Sequence, residues 1–169
     1  IEEVPLHAPD GHAFLLRRYP APRTGETLAP VAALCSPLPD GRPYIAALLE
    51  QQGGPGLEHW WREYCALMAR VHLRLWLKYG IALESNQQNA VLSLVPGQPL
   101  SLVMKDNDAA RLWPARFSQA CPGLAGHLDE LHDARILVDD ELALGQMFTT
   151  ITLQLDLAAV LEGLAERGC

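Results

Sequence analysis

Residues 80–108 read GIALESNQQNAVLSLVPGQPLSLVMKDND and contain the pattern that decides the fold. Two apolar runs, AVLSLV and LSLVM, flank the segment PGQP, an arrangement typical of a β-hairpin. With a turn centred directly after Gly97, the pairing places Asn89 opposite Asp106. The pattern therefore predicts that the polar segment before the hairpin and the acidic segment after it converge at one end of the hairpin.

A long helix is predicted upstream of the hairpin, over residues 57–79. Apolar residues recur there at three- and four-residue steps, and Gly80 stands where a helix-ending glycine belongs. The residues predicted to share the buried face are Trp61, Tyr64, Met68, Val71 and Leu75. We interpret the aromatic stripe that adds Trp60 and Trp76 as core packing rather than a ligand platform. His59 and His72 lack the spacing of a helical metal pair, so we expect structural or surface roles.

The region beyond residue 111 is predicted to be a helical lobe, with breaks at Pro114 and at the Pro-Gly pair 122–123. A short helix is expected over 123–132. Asp139 is expected to cap a final helix, because aspartate oxygens accept hydrogen bonds from the first turn. The apolar residues that the pattern assigns to this last helix are Leu144, Phe148, Ile151, Leu155, Leu157, Val160, Leu161 and Leu164.

The N-terminal third is predicted to form short elements. Two strands around a turn are expected over 2–18, followed by a proline-rich connector at 19–30. We expect a buried strand over 31–35 and a short helix over 44–52. The fold class is therefore α+β, mostly helical, with a small antiparallel sheet that includes the hairpin at about 90–105.

The two ends of the sequence suggest a single C-terminal fragment of a larger protein. It divides into strands and a short helix at 1–56, a core helix with the hairpin at 57–111, and a helical lobe at 112–169. The 169 residues are 49% hydrophobic, which is enough for one core or two small lobes.

Composition also excludes several classes of function. The formal net charge of −7 argues against a nucleic-acid-binding protein, which needs clustered Lys and Arg. Without an uninterrupted apolar span or a signal-peptide pattern, we expect no membrane segment and a cytoplasmic location. The four cysteines are far apart in sequence, which predicts reduced structural thiols.

The residues at the end of the hairpin suit a magnesium–nucleotide site. The side-chain oxygens of Asn89 and Asp106 are hard ligands for Mg²⁺ held against phosphates, as in protein kinases. Solvated polar loops on either side of an ordinary hairpin explain the same residues, and spacing alone leaves both interpretations open. The histidines at 127 and 132, with their acidic neighbours, fit a solvated charged face better than a metal site.

The stretch from Lys78 to Arg111 resembles the signature region of the siderophore synthetases that work without non-ribosomal peptide synthetases, the aerobactin-synthetase (IucA/IucC) type. That family commonly reads Gly-Ile-Ala-Leu-Glu-Ala-His-x-Gln-Asn, then a hairpin, then Arg-Asp. This chain has Gly-Ile-Ala-Leu-Glu-Ser-Asn-Gln-Gln-Asn at 80–89 and Lys-Asp at 105–106. The resemblance is dense over this stretch and more diffuse over the rest of the chain.

The resemblance implies an open hand-like fold in which ATP lies in the palm, with this chain as its C-terminal portion. It implies condensation of citrate or a related carboxylic acid with a polyamine, amino acid or amino alcohol, through an acyl-adenylate. Homodimers are common in the family. Some classifications call this portion a ferric-reductase-like (FhuF-like) domain, but the cysteine cluster that reductase activity requires is missing from the sequence, so we reject that activity.

Site residues carry over from the family motif position by position. Gln88 and Asn89 match its nucleotide-contacting pair, and Asp106 matches the acidic residue near phosphates and metal. Glu84 is the motif's glutamate and is assigned to the nucleotide site. Positive charge is expected from Lys105, at a position where Arg is usual, or from Arg111.

The main departure from the family is Asn86, which replaces a histidine expected to lie where the carboxylate meets the α-phosphate. Asparagine can donate a hydrogen bond to developing charge but cannot exchange a proton near neutral pH. Either electrostatic stabilisation suffices at this position, which we favour, or catalysis is weakened. We therefore assign catalytic roles to Asn86 and Lys105.

Two alternatives come from other functional classes. One is a non-catalytic binding or assembly module derived from the synthetase and degenerate at Asn86. The other is a kinase-like phosphotransferase, which would need a catalytic Asp shortly before Asn89. Positions 85–88 offer none, which argues against the kinase. The resemblance also implies that this fragment alone is inactive, because phosphate-binding residues of the other lobe are not evident before residue 80.

Overall fold

The computed structural model describes residues 2–7, 11–54, 56–107, 109–131 and 133–169. The fold is α+β, as predicted from the sequence. The strands are β1 Glu2–His7, β2 Ala13–Arg18, β3 Thr27–Pro30, β4 Ile81–Ala82, β5 Ala90–Leu94, β6 Ser101–Met104 and β7 Arg111–Leu112. The α-helices are α1 Tyr44–Gln51, α2 Leu57–Arg74, α3 Pro114–Ala120, α4 Glu141–Met147 and α5 Ala159–Ala165. Short 3₁₀ segments at Val31–Ala33 and Pro122–Glu130 and π-helical segments at Leu75–Tyr79 and Phe148–Ala158 complete the described structure.

The central sheet has the order β3-β5-β6 and is antiparallel throughout. All five residues of β5 are buried, because this strand lies between two partners and against the helices. β1 and β2 form a separate antiparallel hairpin, as predicted, although its predicted turn residues 8–10 lie outside the described part of the chain. β4 and β7 form a two-residue ladder beside the end of α2.

The strand predicted at 31–35 is wrong. The strand lies earlier, at β3, and the chain then makes a single 3₁₀ turn in which the Leu34 amide donates to the Val31 carbonyl at 3.0 Å. Both Val31 and Leu34 are buried, and they are three residues apart. This spacing places two side chains on one face of a 3₁₀ turn, whereas a strand would send them to opposite faces.

The long helix predicted upstream of the hairpin is confirmed, and it ends at Gly80, as expected. Gly80 has φ 68°, the left-handed conformation that glycine adopts without strain. A Cβ atom at this position would lie 2.9 Å from Cβ of Arg116 and 3.1 Å from the Trp113 carbonyl oxygen. Glycine is therefore needed twice over, for its backbone angle and for the close approach of the segment that begins α3.

The buried face of α2 lies one residue away from the predicted one at both ends. Trp60, Tyr64 and Met68 are fully buried, and His72 is nearly so, whereas Trp61 is only half-buried. Trp60, Tyr64, Met68 and His72 follow one another at four-residue steps and form one row along the helix. Burial lowers the pKa of His72 to about 4, so its ring is neutral and structural, as expected.

The last helix is continuous from Glu141 to Ala165. Its N-cap is Asp140 rather than the predicted Asp139, because the Asp140 carboxylate accepts hydrogen bonds from the backbone amides of the first turn at 3.0 and 3.2 Å. The Pro-Gly break and the short helix after it are present, but that segment is 3₁₀ and runs Pro122–Glu130. Pro114 begins α3 instead of breaking a helix, since proline suits the first helical position.

The predicted apolar face of this last helix is wrong in its middle. Leu155 and Leu161 are each 50% exposed, while the polar residues Thr152 and Asp156 are buried. The reason is the π-helical segment Phe148–Ala158, whose wider turns take more residues than an α-turn. Residues four apart therefore stay on one face, and the buried row is Leu144, Thr152, Asp156, Val160 and Leu164, with Phe148 half-buried.

The buried row of α2 packs against the buried row of the last helix. Both rows have a four-residue spacing, and the two helices run antiparallel. The Tyr64 hydroxyl donates to Oδ1 of Asp156 near one end of the pair. Near the other end, a Cβ on Gly145 would lie 2.9 Å from the Trp76 ring, so only glycine permits this approach. The aromatic stripe of α2 is thus core packing, as predicted, with Trp60 stacked on Tyr64 at a ring separation of 5.3 Å.

The helix Glu141–Ala165 is also long and apolar enough to qualify, by length and composition alone, as a candidate membrane span. It is the single helix of this kind among the residues that the structure describes. Its buried row packs on α2 and includes the Asp156 carboxyl paired with Tyr64. One row of this helix is buried, whereas Leu142, Leu155 and Leu161 are 50% or more exposed, so the helix is amphipathic and lies at the surface.

Burial raises the pKa of Asp156 to about 7, and the Tyr64 hydrogen bond only partly opposes this effect. The folded chain therefore retains a proton that an unfolded Asp, with a pKa of about 3.9, has lost. The free energy of unfolding is expected to fall as pH rises from about 4 to about 7, with a contribution from this group of up to about 1.4 kcal/mol per pH unit.

Asp156→Asn removes this titration and keeps an oxygen that accepts from Tyr64. Urea unfolding of the parent and the variant between pH 4 and 8, followed by tryptophan fluorescence, should show stabilities that converge as pH rises. Two curves that stay parallel across this range would contradict the assignment of the proton to Asp156.

Candidate functional site

The polar loop from Glu84 to Asn89 is held by its own side chains. The side-chain oxygen Oδ1 of Asn86 accepts hydrogen bonds from the backbone amides of Gln88 at 2.9 Å and Asn89 at 3.0 Å. The Asn89 side-chain amide donates to the Glu84 carbonyl oxygen at 3.1 Å. Ser85 is fully buried and donates from its hydroxyl to the sulfur of Met104 at 3.6 Å, which ties the loop to β6.

Asn86 therefore has a structural task that the sequence did not reveal. Its carbonyl oxygen acts as a cap for the turn, which is the usual role of Asn where backbone amides lack partners. With the oxygen fixed, the amide N–H groups are the part of this side chain that can donate to a ligand. This orientation is compatible with the predicted contact to developing negative charge.

The hairpin is confirmed, but its predicted register is wrong by one residue. Ala90 pairs with Met104, so Asn89 lies opposite Lys105, whose amide donates to the Asn89 carbonyl at 3.0 Å. The turn closes from Val95 to Gln98, and seven residues, an odd number, lie between the paired Ser93 and Ser101, which shifts the pairing. Asp106 therefore lies one position beyond the residue opposite Asn89.

Asp106 has a backbone conformation that is uncommon outside glycine. Its φ is 66°, a value that Asp tolerates better than most residues. Its carboxylate forms an ion pair with the guanidinium of Arg17 on β2, at 3.0 Å between Oδ2 and Nη2. Sequence reasoning missed Arg17, because it is 89 positions away and no local pattern marks it.

Glu84 and Arg111 line one open cleft of about 360 Å³. The β4–β7 ladder pairs Ala82 with Arg111, which brings the segment that continues to Glu84 close to Arg111. The opposite wall is the last helix, which contributes the polar residues Gln146 and Thr150 and an apolar surface. Sequence reasoning missed these two residues, because an exposed Gln and Thr on a helix resemble any solvated face.

Arg111 is positioned by backbone carbonyls. Its Nη1 donates to the carbonyl oxygens of Ala109 at 2.7 Å and Ala110 at 3.2 Å. Its charge also helps to lower the pKa of Asp133, although the hydrogen bonds from Arg135 are the main cause of a value of about 2. The guanidinium therefore has a fixed position at the edge of the cleft.

The predicted metal ligands, Asn89 and Asp106, fit Mg²⁺ in kind. The Asn89 amide nitrogen is occupied by the Glu84 carbonyl, which leaves its oxygen as the potential ligand. Mg²⁺ usually takes one or two protein oxygens and completes its shell with water and phosphate oxygens, so two ligands suffice. Within the described residues, no cluster of three His, Cys, Asp or Glu side chains could hold a metal by itself.

The other candidates from the sequence do not gather into a site. His127 contacts Glu130 at 3.0 Å on an exposed surface, as expected of a charged face, and His132 lies outside the described residues. His59 lies near Glu63 at 3.7 Å, also exposed. The four cysteines are free thiols on separate parts of the chain.

Comparison with known proteins identifies the family to which this fold and loop belong. The family model described as "Ferric iron reductase FhuF-like transporter" matches residues 58–169, and the chain belongs to this family. The predicted resemblance to synthetases of the IucA/IucC type is confirmed. The reductase named in the family description requires a redox centre, and we assign no such activity to this chain.

Two solved structures share the fold. Aerobactin synthetase IucC from a hypervirulent pathotype of Klebsiella pneumoniae is 21% identical, with a TM-score of 0.69 over 86% of this chain and 26% of that chain. ATP-bound aerobactin synthetase IucA from the same kind of pathotype is 19% identical, with a TM-score of 0.63 over 83% of this chain and 26% of that chain.

Two curated relatives match parts of the chain. The rhizobactin siderophore biosynthesis protein RhbC of Rhizobium meliloti is 28% identical over 109 residues, which is 58% of this chain and 18% of the relative. A spermidine-citrate ligase of Bacillus anthracis is 38% identical over 48 residues, 28% of this chain and 8% of the relative. The chain therefore spans less than a fifth of the length of these two relatives.

The capping role of Asn86 can be tested by stability. Asn86→Ala removes the acceptor of two backbone amides and should lower the free energy of unfolding by about 1 kcal/mol. Asn86→Asp keeps an acceptor at this position and should leave stability nearly unchanged. Thermal unfolding of the three proteins checks this expectation, and equal destabilisation by Ala and Asp would contradict the cap.

Proposed function

We propose that the full-length protein is a cytoplasmic siderophore synthetase that uses ATP to join a citrate-like carboxylic acid to an amine or alcohol. The observation that carries the proposal is the ordered loop 84–89, which meets Lys105 and Asp106 at one end of the hairpin. The relatives support it, because one is an ATP-bound synthetase by name and another joins spermidine to citrate.

The proposed reaction has two steps that balance. A carboxylate oxygen of the acid attacks the α-phosphorus of ATP, the bond to the β-phosphate oxygen breaks, and pyrophosphate leaves. The nitrogen or oxygen of the second substrate then attacks the acyl carbon, AMP leaves, and the nucleophile gives up a proton. The second step forms the amide or ester.

The residues of the loop would act mainly by positioning and charge neutralisation, which suffice for much of phosphoryl-transfer catalysis. Gln88 and the Asn86 amide N–H groups would donate to phosphate or carboxylate oxygens. Lys105 would neutralise charge as a point cation. Asn89 and Asp106 would hold Mg²⁺, which neutralises phosphate charge when it is bound.

The Arg17–Asp106 ion pair bears on this assignment. Both side chains are about one-third exposed, so the pair is worth little free energy and can open when a ligand competes. The Arg17 guanidinium would then lie near the anionic phosphates. The remaining phosphate contacts are expected from other parts of the full-length protein, so we expect the isolated chain to be inactive.

Asp106→Asn tests the metal assignment without disturbing the backbone, because Asn also tolerates a positive φ. In the full-length protein, the variant should lose about a hundredfold or more of carboxylate-dependent pyrophosphate release, since the phosphate-side charge is removed. Asp139→Asn, at an exposed acid outside the loop and the hairpin, is the matched control and should keep parental rates. Equal rates in Asp106→Asn and the parent would overturn the assignment.

The second candidate function is a non-catalytic binding module, favoured by the structural task of Asn86 in place of the family histidine. Asn86→His distinguishes the two functions in the same assay. Release by the parent supports a working synthetase, whereas release only after Asn86→His supports a degenerate module.

A further inference from the structure

A single guanidinium connects the end of the long helix with the beginning of the last helix. Nη1 of Arg116 donates to the carbonyl oxygen of Leu77 at 2.8 Å, and its Nη2 forms an ion pair with Oε2 of Glu141 at 3.0 Å. Leu77 lies in the final turn before Gly80, and Glu141 is the first residue of α4. Because the two helices run antiparallel, these ends are neighbours, and the Arg116 side chain bridges them.

The Arg116 side chain is itself held in place by two neighbours. Its Cζ atom lies 4.8 Å from the centre of the Trp113 ring, which is a cation–π contact. Its Cβ atom lies so close to the turn at Gly80 that a Cβ on that glycine would be 2.9 Å away. A planar guanidinium donates to two acceptors in fixed directions, whereas an ammonium group is a point charge. The bridge between Leu77 and Glu141 therefore requires arginine.

The two bridged ends lead to the two parts of the candidate site. From Gly80 the chain continues through β4 into the loop 84–89, and from Glu141 the last helix continues along the wall of the cleft. The backbone joins the same region through the Trp113 amide, which donates to the Gly80 carbonyl at 2.8 Å, and through the β4–β7 ladder, which has two residues in each strand. So short a ladder constrains the orientation of the loop only weakly, and the Arg116 bridge adds a second constraint.

We propose that Arg116 is a positioning residue for the proposed reaction, which contacts no reactant and holds the loop 84–89 in a fixed place relative to the last helix. The loop carries three side chains assigned to reactants or metal, Asn86, Gln88 and Asn89. A displacement of about 1 Å can cost roughly a hundredfold in rate, because the reacting groups lose their alignment. The ion pair itself adds little stability, since Glu141 is more than half exposed. This inference rests on the proposed function.

Pyrophosphate release by the full-length protein, with ATP and citrate, tests the positioning role. Arg116→Ala should lower kcat by about tenfold or more and change the KM for ATP by less than about twofold, because alignment is lost while the binding groups remain. Arg116→Lys keeps the charge and can reach one of the two acceptors, so it should recover part of the lost rate. Arg62→Ala is the matched control, since it removes an exposed ion pair with Glu58 near the beginning of α2, and it should keep parental rates.

Hydrogen exchange of the loop is a readout that needs no turnover. The backbone amides of Gln88 and Asn89 are bonded to Oδ1 of Asn86. Arg116→Ala should speed the exchange of these amides by roughly tenfold, because the loop opens more often once it is less constrained, whereas Arg62→Ala should leave it unchanged. Mass spectrometry of a peptide that covers 84–89 measures the exchange.

The outcomes separate this inference from the proposed function. A parental kcat, or parental exchange of the loop, in Arg116→Ala would overturn the inference. So would a loss of rate that disappears when rates are expressed per folded protein, because the role would then be one of stability. A raised KM for ATP at unchanged kcat would show a lost nucleotide contact instead. If the parent releases no pyrophosphate with citrate, the proposed function is wrong, and loop exchange still decides whether Arg116 positions the loop.

Discussion

The antiparallel packing of α2 on the last helix is the constraint on which the rest of the structure depends. One end of this packing is fixed by the hydrogen bond from Tyr64 to the fully buried carboxyl of Asp156. A buried carboxyl is costly unless it is protonated or paired, and here both conditions favour a single arrangement of the two helices. At the other end, Gly145 permits the close approach of Trp76 that completes the pair.

The helix pair positions both parts of the candidate site. α2 ends at Gly80, whose left-handed conformation turns the chain into β4 and then into the loop 84–89. The last helix, held against α2, forms the wall of the cleft that faces Glu84. A polar loop and a helix wall that are far apart in sequence thus share one rigid support, which is how catalytic groups are commonly preorganised.

Features set by local patterns could be predicted from the sequence, and features set by tertiary geometry could not. The hairpin and the long helix follow from periodicity, and Gly80 from its position. The predicted register was wrong because an odd number of residues separates the paired Ser93 and Ser101, which no composition rule reveals. The last helix is present, with its N-cap one residue later than predicted, but its buried face is different, because π-helical turns brought Asp156 inward where Leu155 was expected to share the buried face. Arg17 and Gln146 reach the site only through folding.

The most direct test of the account is the identity of the products that the full-length protein forms from ATP and Mg²⁺, with and without citrate as the probe carboxylate. Chromatography of the nucleotide products, together with a pyrophosphate assay, measures this. The account predicts AMP and pyrophosphate in equal amounts, formed only when the carboxylate is present. Formation of ADP and phosphate, or no carboxylate-dependent turnover, would contradict the claim that this loop and hairpin form part of a synthetase active site.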